Sequence, residues 1–324
     1  MCPDADAGLP VQLCAEPGNA SGACCSRNCL NSIFNVCCEV GVSVAWLLLD
    51  KNRAGNMGTG TVQKTALELE RHEAKYLIHP ALVPQIRDFI RPFCVADDNA
   101  EGGLPEYTVT TLQLDSPSLS LYYAKEQESI NRFKIRVRTY GFDGACPVFL
   151  EVKRKIKGVI VKTRATVPSS MWGPDIIFNP PQTLKFRSLK EEYNYLNFVR
   201  LVKELGAKPV VLVRYIRESY LGKYDQYSRL TFDRSLCYRP ARDWELLPKN
   251  GHWWSMDSAT AHNRPFSGVI LELKTFSDAP LWMVDLTERF DLVRVGFCKY
   301  FTAMRMEKVF TGDTFSDASE NCTY

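Results

Sequence analysis

Polar and apolar residues alternate with a period of two through much of the chain after Leu67, and that period predicts strands. In the segment 131–140 (NRFKIRVRTY), Arg132, Lys134, Arg136 and Arg138 share one face and Phe133, Ile135 and Val137 the other. The segment 148–156 sets Glu151, Lys153 and Lys155 opposite Val148, Leu150 and Val152. The segment 159–166 places Lys162 and Arg164 together, opposite Val161 and Thr163. Turns at 141–147 and 157–158 join the three into an expected antiparallel meander. Further strands are expected over 107–114, 209–218, 228–233 and 268–274, with an extended segment over 68–78. Helical spacing predicts a helix over 84–93 through Ile86, Phe89 and Ile90. It predicts a second over 188–205 through Tyr193, Leu196, Phe198, Leu201 and Val202, ended by Gly206, and a third over 280–290.

Charge changes this picture. The net charge is only +3 over 324 residues, so any positive field must be local. Yet the polar faces of the meander carry almost entirely cations. Like charges opposed across strands destabilise a sheet, and a solvated face usually mixes signs. A same-sign face is stable when an anion lies over it, and the mixture of forked Arg and mobile Lys suits several phosphates. The plain alternative is a basic outer surface that aids solubility or loosely holds nucleic acid.

Carboxylates recur beside these cations: Glu73 between Arg71 and Lys75, Glu151 before Lys153, Glu272 before Lys274. If the faces meet, carboxylates could hold Mg²⁺ or Mn²⁺ while the cations hold phosphates. For Glu151 a cross-strand ion pair is the better reading. Glu272, in an otherwise apolar strand, is the better metal ligand.

Other chemistry has weak support. His72, His79, His252 and His262 show no paired metal spacing, and no phosphate-binding loop with a terminal Gly-Lys occurs. Trp244, Trp253 and Trp254 could stack on a base, although core or lid packing is the commoner use of such residues. Cysteines crowd the N-terminus from Cys2 to Cys38 in a CC-x3-C-x7-CC pattern that matches no standard zinc spacing. Elsewhere they are scattered singly, which fits a reduced, cytoplasmic body. The apolar run 40–49 is too short to span a bilayer. The residues 1–64 are therefore read as a Cys-rich extension, disordered or non-native, with Met57 as an alternative start, and 313–324 as a flexible tail.

The motifs HEAKYLIHP (72–80), FKIRVRTYG (133–141), VFLEVKRK (148–155), VKTR (161–164), VRYIRESY (213–220), SRLTFDR (228–234), LELK (271–274) and FCKY (297–300) resemble, in order and spacing, the VTC domain. This is the polyphosphate polymerase domain of the vacuolar transporter chaperone complex, in the triphosphate tunnel metalloenzyme (CYTH) superfamily. The resemblance covers the domain 65–312. It implies an α+β fold: a closed antiparallel β-tunnel with a charged interior and helices packed outside. It implies transfer of the terminal phosphoryl of ATP to a polyphosphate chain, with a divalent cation, Mn²⁺ or Mg²⁺, as cofactor. By position, Arg136, Arg138, Lys153, Lys155 and Lys162 would be catalytic. Lys75, Arg217, Arg229, Lys274 and Lys299 would bind substrate phosphates, and Glu272 would hold the metal. The implied partners are ATP, polyphosphate or another polyphosphorylated small molecule, and no specific nucleic acid. A membrane partner, and membrane association through it, is compatible with the sequence but not indicated by it. Hydrolysis of tripolyphosphate or nucleoside triphosphate, and non-catalytic polyphosphate binding, are the alternatives. The chain departs from the pattern at Arg71, where the superfamily has Glu; at Gly296, often Lys in the polymerases; and at Cys298, where the family motif has Ser.

Overall fold

The computed structural model describes residues 72–97, 105–157, 159–225, 227–259, 268–276 and 278–311. The expectations for the N-terminal extension, the cysteine cluster, Arg71, His262 and the tail lie outside these residues. The chain order is β1 (His72–Ile78), α1 (Leu82–Ile90), β2 (Cys94–Ala96), β3 (Glu106–Asp115), α2 (Ser120–Glu126), β4 (Arg132–Tyr140), β5 (Val148–Ile156) and β6 (Val159–Val167). A single 3-10 turn, Ser169–Met171, leads to α3 (Asp175–Phe178), α4 (Leu189–Leu205), β7 (Lys208–Gly222), β8 (Arg229–Pro240), β9 (Trp254–Ser255), β10 (Val269–Thr275), α5 (Leu281–Arg289) and α6 (Lys299–Thr311).

The strands form one antiparallel sheet in the order β1-β10-β8-β7-β3-β4-β5-β6, with β2 added to β7 and β9 to β8. The expected β4-β5-β6 meander is present, with Ile156 paired to Val159 across its tight turn. The sheet curls far enough for Lys153 of β5 to reach Glu73 of β1 at 3.4 Å, although many strands separate them along the sheet. It does not close. Among the described residues no ladder joins β1 to β6, so the architecture is an open half-barrel and the expected closed tunnel is corrected. The outer edge of β1 is already taken by the segment before α6. Tyr76 bridges Arg294, Val295 N donates to Lys75 O at 2.8 Å, and Arg294 donates to Glu73 O.

Three apolar clusters cover the sheet. On the outer face of β3–β6, α4 and α3 pack Tyr195, Phe198, Leu201, Val202, Ile176 and Ile177 against Leu112, Ile135, Leu150 and Val152. Ser188 caps α4 by accepting from Glu191 N, and Gly206, in the left-handed region at φ 56°, ends it. Tyr193 and Leu196, expected on the packed side of this helix, face solvent instead. On the outer face of β1, β10 and β8, α1 and α5 bring Ile86, Ile90, Trp282 and Leu286 against Leu271, Leu273 and Phe232. Arg87 fixes α1 to β7 through a two-pronged contact with the fully buried Glu218, at 2.6 and 2.7 Å.

The third cluster corrects the expectation that all helices lie outside. Here α2 and α6 bring Tyr122, Tyr300, Ala303 and Met304 onto Val211, Val213, Tyr215 and Ile270. Ile270 shares its face with Glu272, so these helices cover one end of the charged inner face. Asp115 organises that end. It is fully buried, accepts from the backbone of Leu121 and Tyr122 at 2.9 Å, and accepts the Tyr300 hydroxyl. Neither α2 nor α6 was legible as a helix in the sequence pattern. Cys94, Cys237 and Cys298 are free thiols. Among the described residues no helix is long and apolar enough to cross a membrane.

Candidate functional site

Strand register gathers the candidate residues on the concave face. Lys75 stands opposite Glu272, and Glu73 opposite Lys274. Arg217 is opposite Asp233, Arg138 opposite Thr111, Arg136 opposite Glu151, and Lys153 is opposite both Lys134 and Lys162. Lys299 enters from the first turn of α6.

These groups form two nests. In the first, the nearly buried Glu272 contacts Lys274 at 2.7 Å, Arg217 at 3.5 Å and Lys75 at 4.0 Å. Arg217 also grips the fully buried Asp233 with two hydrogen bonds of 2.7 and 2.8 Å. Lys299 donates to the same carboxylate at 2.5 Å. Burial alone would push the Glu272 carboxyl up. Lys274, Lys75, Arg217 and Lys299 outweigh that and hold it well below the usual carboxylate range. In the second nest, the fully buried Glu151 accepts from Arg136 at 2.7 Å, Arg164 at 2.7 and 2.9 Å, and Lys162 at 2.8 Å, with Arg138 at 3.7 Å. Burial again opposes ionisation, and Arg138, Arg136, Lys162 and Arg164 together overcome it.

Lys153 and Lys75 lie where the nests meet. Lys153 contacts Glu73, which also pairs with Lys75. Burial lowers Lys75 to about 7, against an opposing pull from Glu272. Burial, reinforced by Arg136, lowers Lys153 to about 8.

Of the expected residues, Arg136, Arg138, Lys153, Lys162, Lys75, Arg217, Lys274, Lys299 and Glu272 come together. Lys155 and Arg229 share the face by register but stand at its margin, and Arg229 turns to Asp97 at 3.7 Å. Asp233 was missed as a site residue. Its alternation with Arg229 could have placed it on this face, but not beside Lys299, which is distant in sequence. Glu73 was noted only as a neighbour of Lys75, and Arg164 only as part of a basic face. The ion-pair reading of Glu151 is correct and understated, since four cations share it. Trp244 and Trp253 pack against the outer core.

The nests admit a metal only in a limited way. Among the described residues no group of three His, Cys, Asp or Glu side chains forms a metal cluster. Glu272 stands opposite Thr231, whose buried hydroxyl has no hydrogen-bond partner. One carboxylate with an unsatisfied oxygen neighbour fits a hard cation whose shell is completed by phosphate oxygens, not an all-protein cage.

Residues 70–308 match the family model described as VTC domain. The chain belongs to the VTC domain family. Membership points to polyphosphate-related chemistry in this VTC domain. No curated protein matches it. Among solved structures, the PH1819 protein from Pyrococcus horikoshii OT3 is similar at 14% identity, covering 74% of this chain and 99% of that one, with a TM-score of 0.35.

Proposed function

We propose that this VTC domain is a polyphosphate polymerase that binds ATP and polyphosphate on the concave face of the half-barrel. The reading is carried by one observation: Lys and Arg from β1, β10, β7, β4, β5, β6 and α6 converge there and outnumber the buried carboxylates among them. The acids leave the face net positive, as a polyanion requires.

In this mechanism a terminal phosphate oxygen of the acceptor chain attacks the γ-phosphorus of ATP. The bond from that phosphorus to the β-bridging oxygen breaks, and ADP leaves. No protein nucleophile takes part, so catalysis is positioning and charge neutralisation. Arg136, Arg138, Lys153 and Lys162 neutralise the transferring group. Lys75, Arg217, Lys274 and Lys299 hold the flanking phosphates, with Lys155 and Arg229 guiding the chain at the margin. Glu272 would hold a divalent cation, Mn²⁺ or Mg²⁺, which would supply further charge neutralisation to the bound phosphates. Asp233 fixes Arg217 and Lys299.

The test is a polymerisation assay with ATP and Mn²⁺. Long-chain polyphosphate is expected from the wild type and none from Glu272→Ala. Release of orthophosphate from tripolyphosphate without polymer would replace this reading with the hydrolase. Tight, metal-independent binding without turnover would replace it with a binding module.

A further inference from the structure

The β5–β6 hairpin ends in aliphatic side chains on both faces of its ribbon. Ile156 and Val159, paired across the turn, are 45% and 48% exposed. Ile160 and Val161 point to opposite faces and are 38% and 40% exposed. Ile130, 71% exposed, joins this tip because Asn131 Oδ1 accepts from Lys157 N at 3.2 Å. A strand of an antiparallel sheet ordinarily packs one face and solvates the other with polar residues. This ribbon end does neither.

Cations collar the tip. Lys157 sits in the turn and Arg154 and Lys155 lie on the last residues of β5. None of the three forms an ion pair among the described residues, and the nearby Glu128 is engaged by Lys125 and Arg132.

We propose that this hairpin tip docks the protein on an anionic phospholipid bilayer. The aliphatic side chains enter the boundary between headgroups and acyl chains, and Lys157 and Arg154 meet lipid phosphates, while Lys155 belongs to the margin of the concave face. The two-sided exposure selects a bilayer over a protein partner. A groove or an added strand covers one face or one edge of a ribbon, whereas a headgroup layer surrounds an inserted tip. Lys157, and Arg154, which forms no ion pair but donates to Asn197 at 3.2 Å, supply the charge complementarity. This inference does not depend on the phosphate chemistry of the concave face.

The experiment is co-sedimentation of the full chain with vesicles of phosphatidylcholine alone and of phosphatidylcholine mixed with phosphatidylserine. Binding to the mixed vesicles is expected, with weak binding to the neutral ones. Val159→Asp should reduce it by about tenfold or more, and Lys157→Glu by several-fold, roughly as one basic residue contributes at an anionic surface. Ile130→Asp, at the most exposed position and on a different segment, guards against misfolding of the first variant and should act alike. Excess tripolyphosphate should leave binding intact. If tripolyphosphate abolishes it while the aspartate variants do not, the cations of the concave face hold the lipid and the proposal is wrong. Equal binding to both vesicle types, no binding, or an aspartate variant that changes only the oligomeric state also overturns it.

Discussion

Lys75 and Lys153 make the concave face sensitive to pH near neutrality. Burial lowers them to about 7 and about 8, below the ordinary 10.5, so the unfolded chain binds more protons than the folded one between those values. Stability of the ligand-free protein should therefore rise with pH across that window. Phosphate affinity should move the other way, because both amines must be charged to bind an anion. Tripolyphosphate affinity is expected to fall as pH rises from about 7 to about 9. Calorimetry near pH 8, in buffers of different ionisation enthalpy, should register proton uptake on binding. An absence of proton exchange would place these two lysines outside the binding event. Glu151 gives a second expectation at this scale. In Glu151→Gln four cations lose their shared counter-charge at a fully buried position, which should cost about 3–5 kcal/mol. A lowered melting temperature, largely restored by saturating tripolyphosphate, is the expected result. The pattern of alternating charges was enough to put these residues on common faces. It carried no information on which acid would meet which cation, because those pairs join strands far apart in sequence.

Among the elements, β8 carries the irregularity that divides the inner face. Its register with β7 shifts between Arg214 and Ile216, and Ser235 adopts φ 53°. Asp233 before the shift and Leu236 after it both belong to the inner face, so the bulge separates a charged half from an apolar half that receives α6. A non-glycine residue in the left-handed region is strained, so Ser235→Gly should raise stability by up to about 1 kcal/mol in urea denaturation. The cap of α4 offers the converse: Ser188→Ala should lower stability by about 1 kcal/mol in the same measurement. Helix α4 was legible because its cap, spacing and terminating glycine are local signals. Helix α2 was not. It is short, and its start depends on Asp115 accepting from the backbone of Leu121 and Tyr122, a contact without periodicity. Helix α6 was hidden for a related reason, since its packed residues Tyr300, Ala303 and Met304 make only a weak stripe.

At the scale of the whole molecule, barrel closure was the largest feature the sequence could not supply. Closure depends on whether the first and last strands of the sheet pair, and no local pattern encodes that. The segment 294–295 occupies the free edge of β1 and also leads directly to Lys299, so the edge contact and the delivery of Lys299 to the concave face are one construction. Gly296 lies within it, and an added Cβ there would meet nothing within 4 Å. Gly296→Lys should fold normally and bind tripolyphosphate more tightly, with a steeper dependence on ionic strength as one more cation is screened. A loss of affinity in a titration at two salt concentrations would show that the added charge points away from the ligand.

The ion pairs around Glu151 and Glu272 have a consequence for selectivity. A face of unopposed cations would attract any anion in proportion to its charge. Here the cations of the two nests already have a carboxylate neighbour, so under the proposed function an incoming ligand would displace contacts before it gains its own. Orthophosphate would reach too few cations to offset that exchange. A chain of phosphates would touch both nests at once and replace many partners in a single event. Under the proposed function the internal acids would thus act as a threshold on ligand length, set by the protein's own counter-ions and not by the width of an opening.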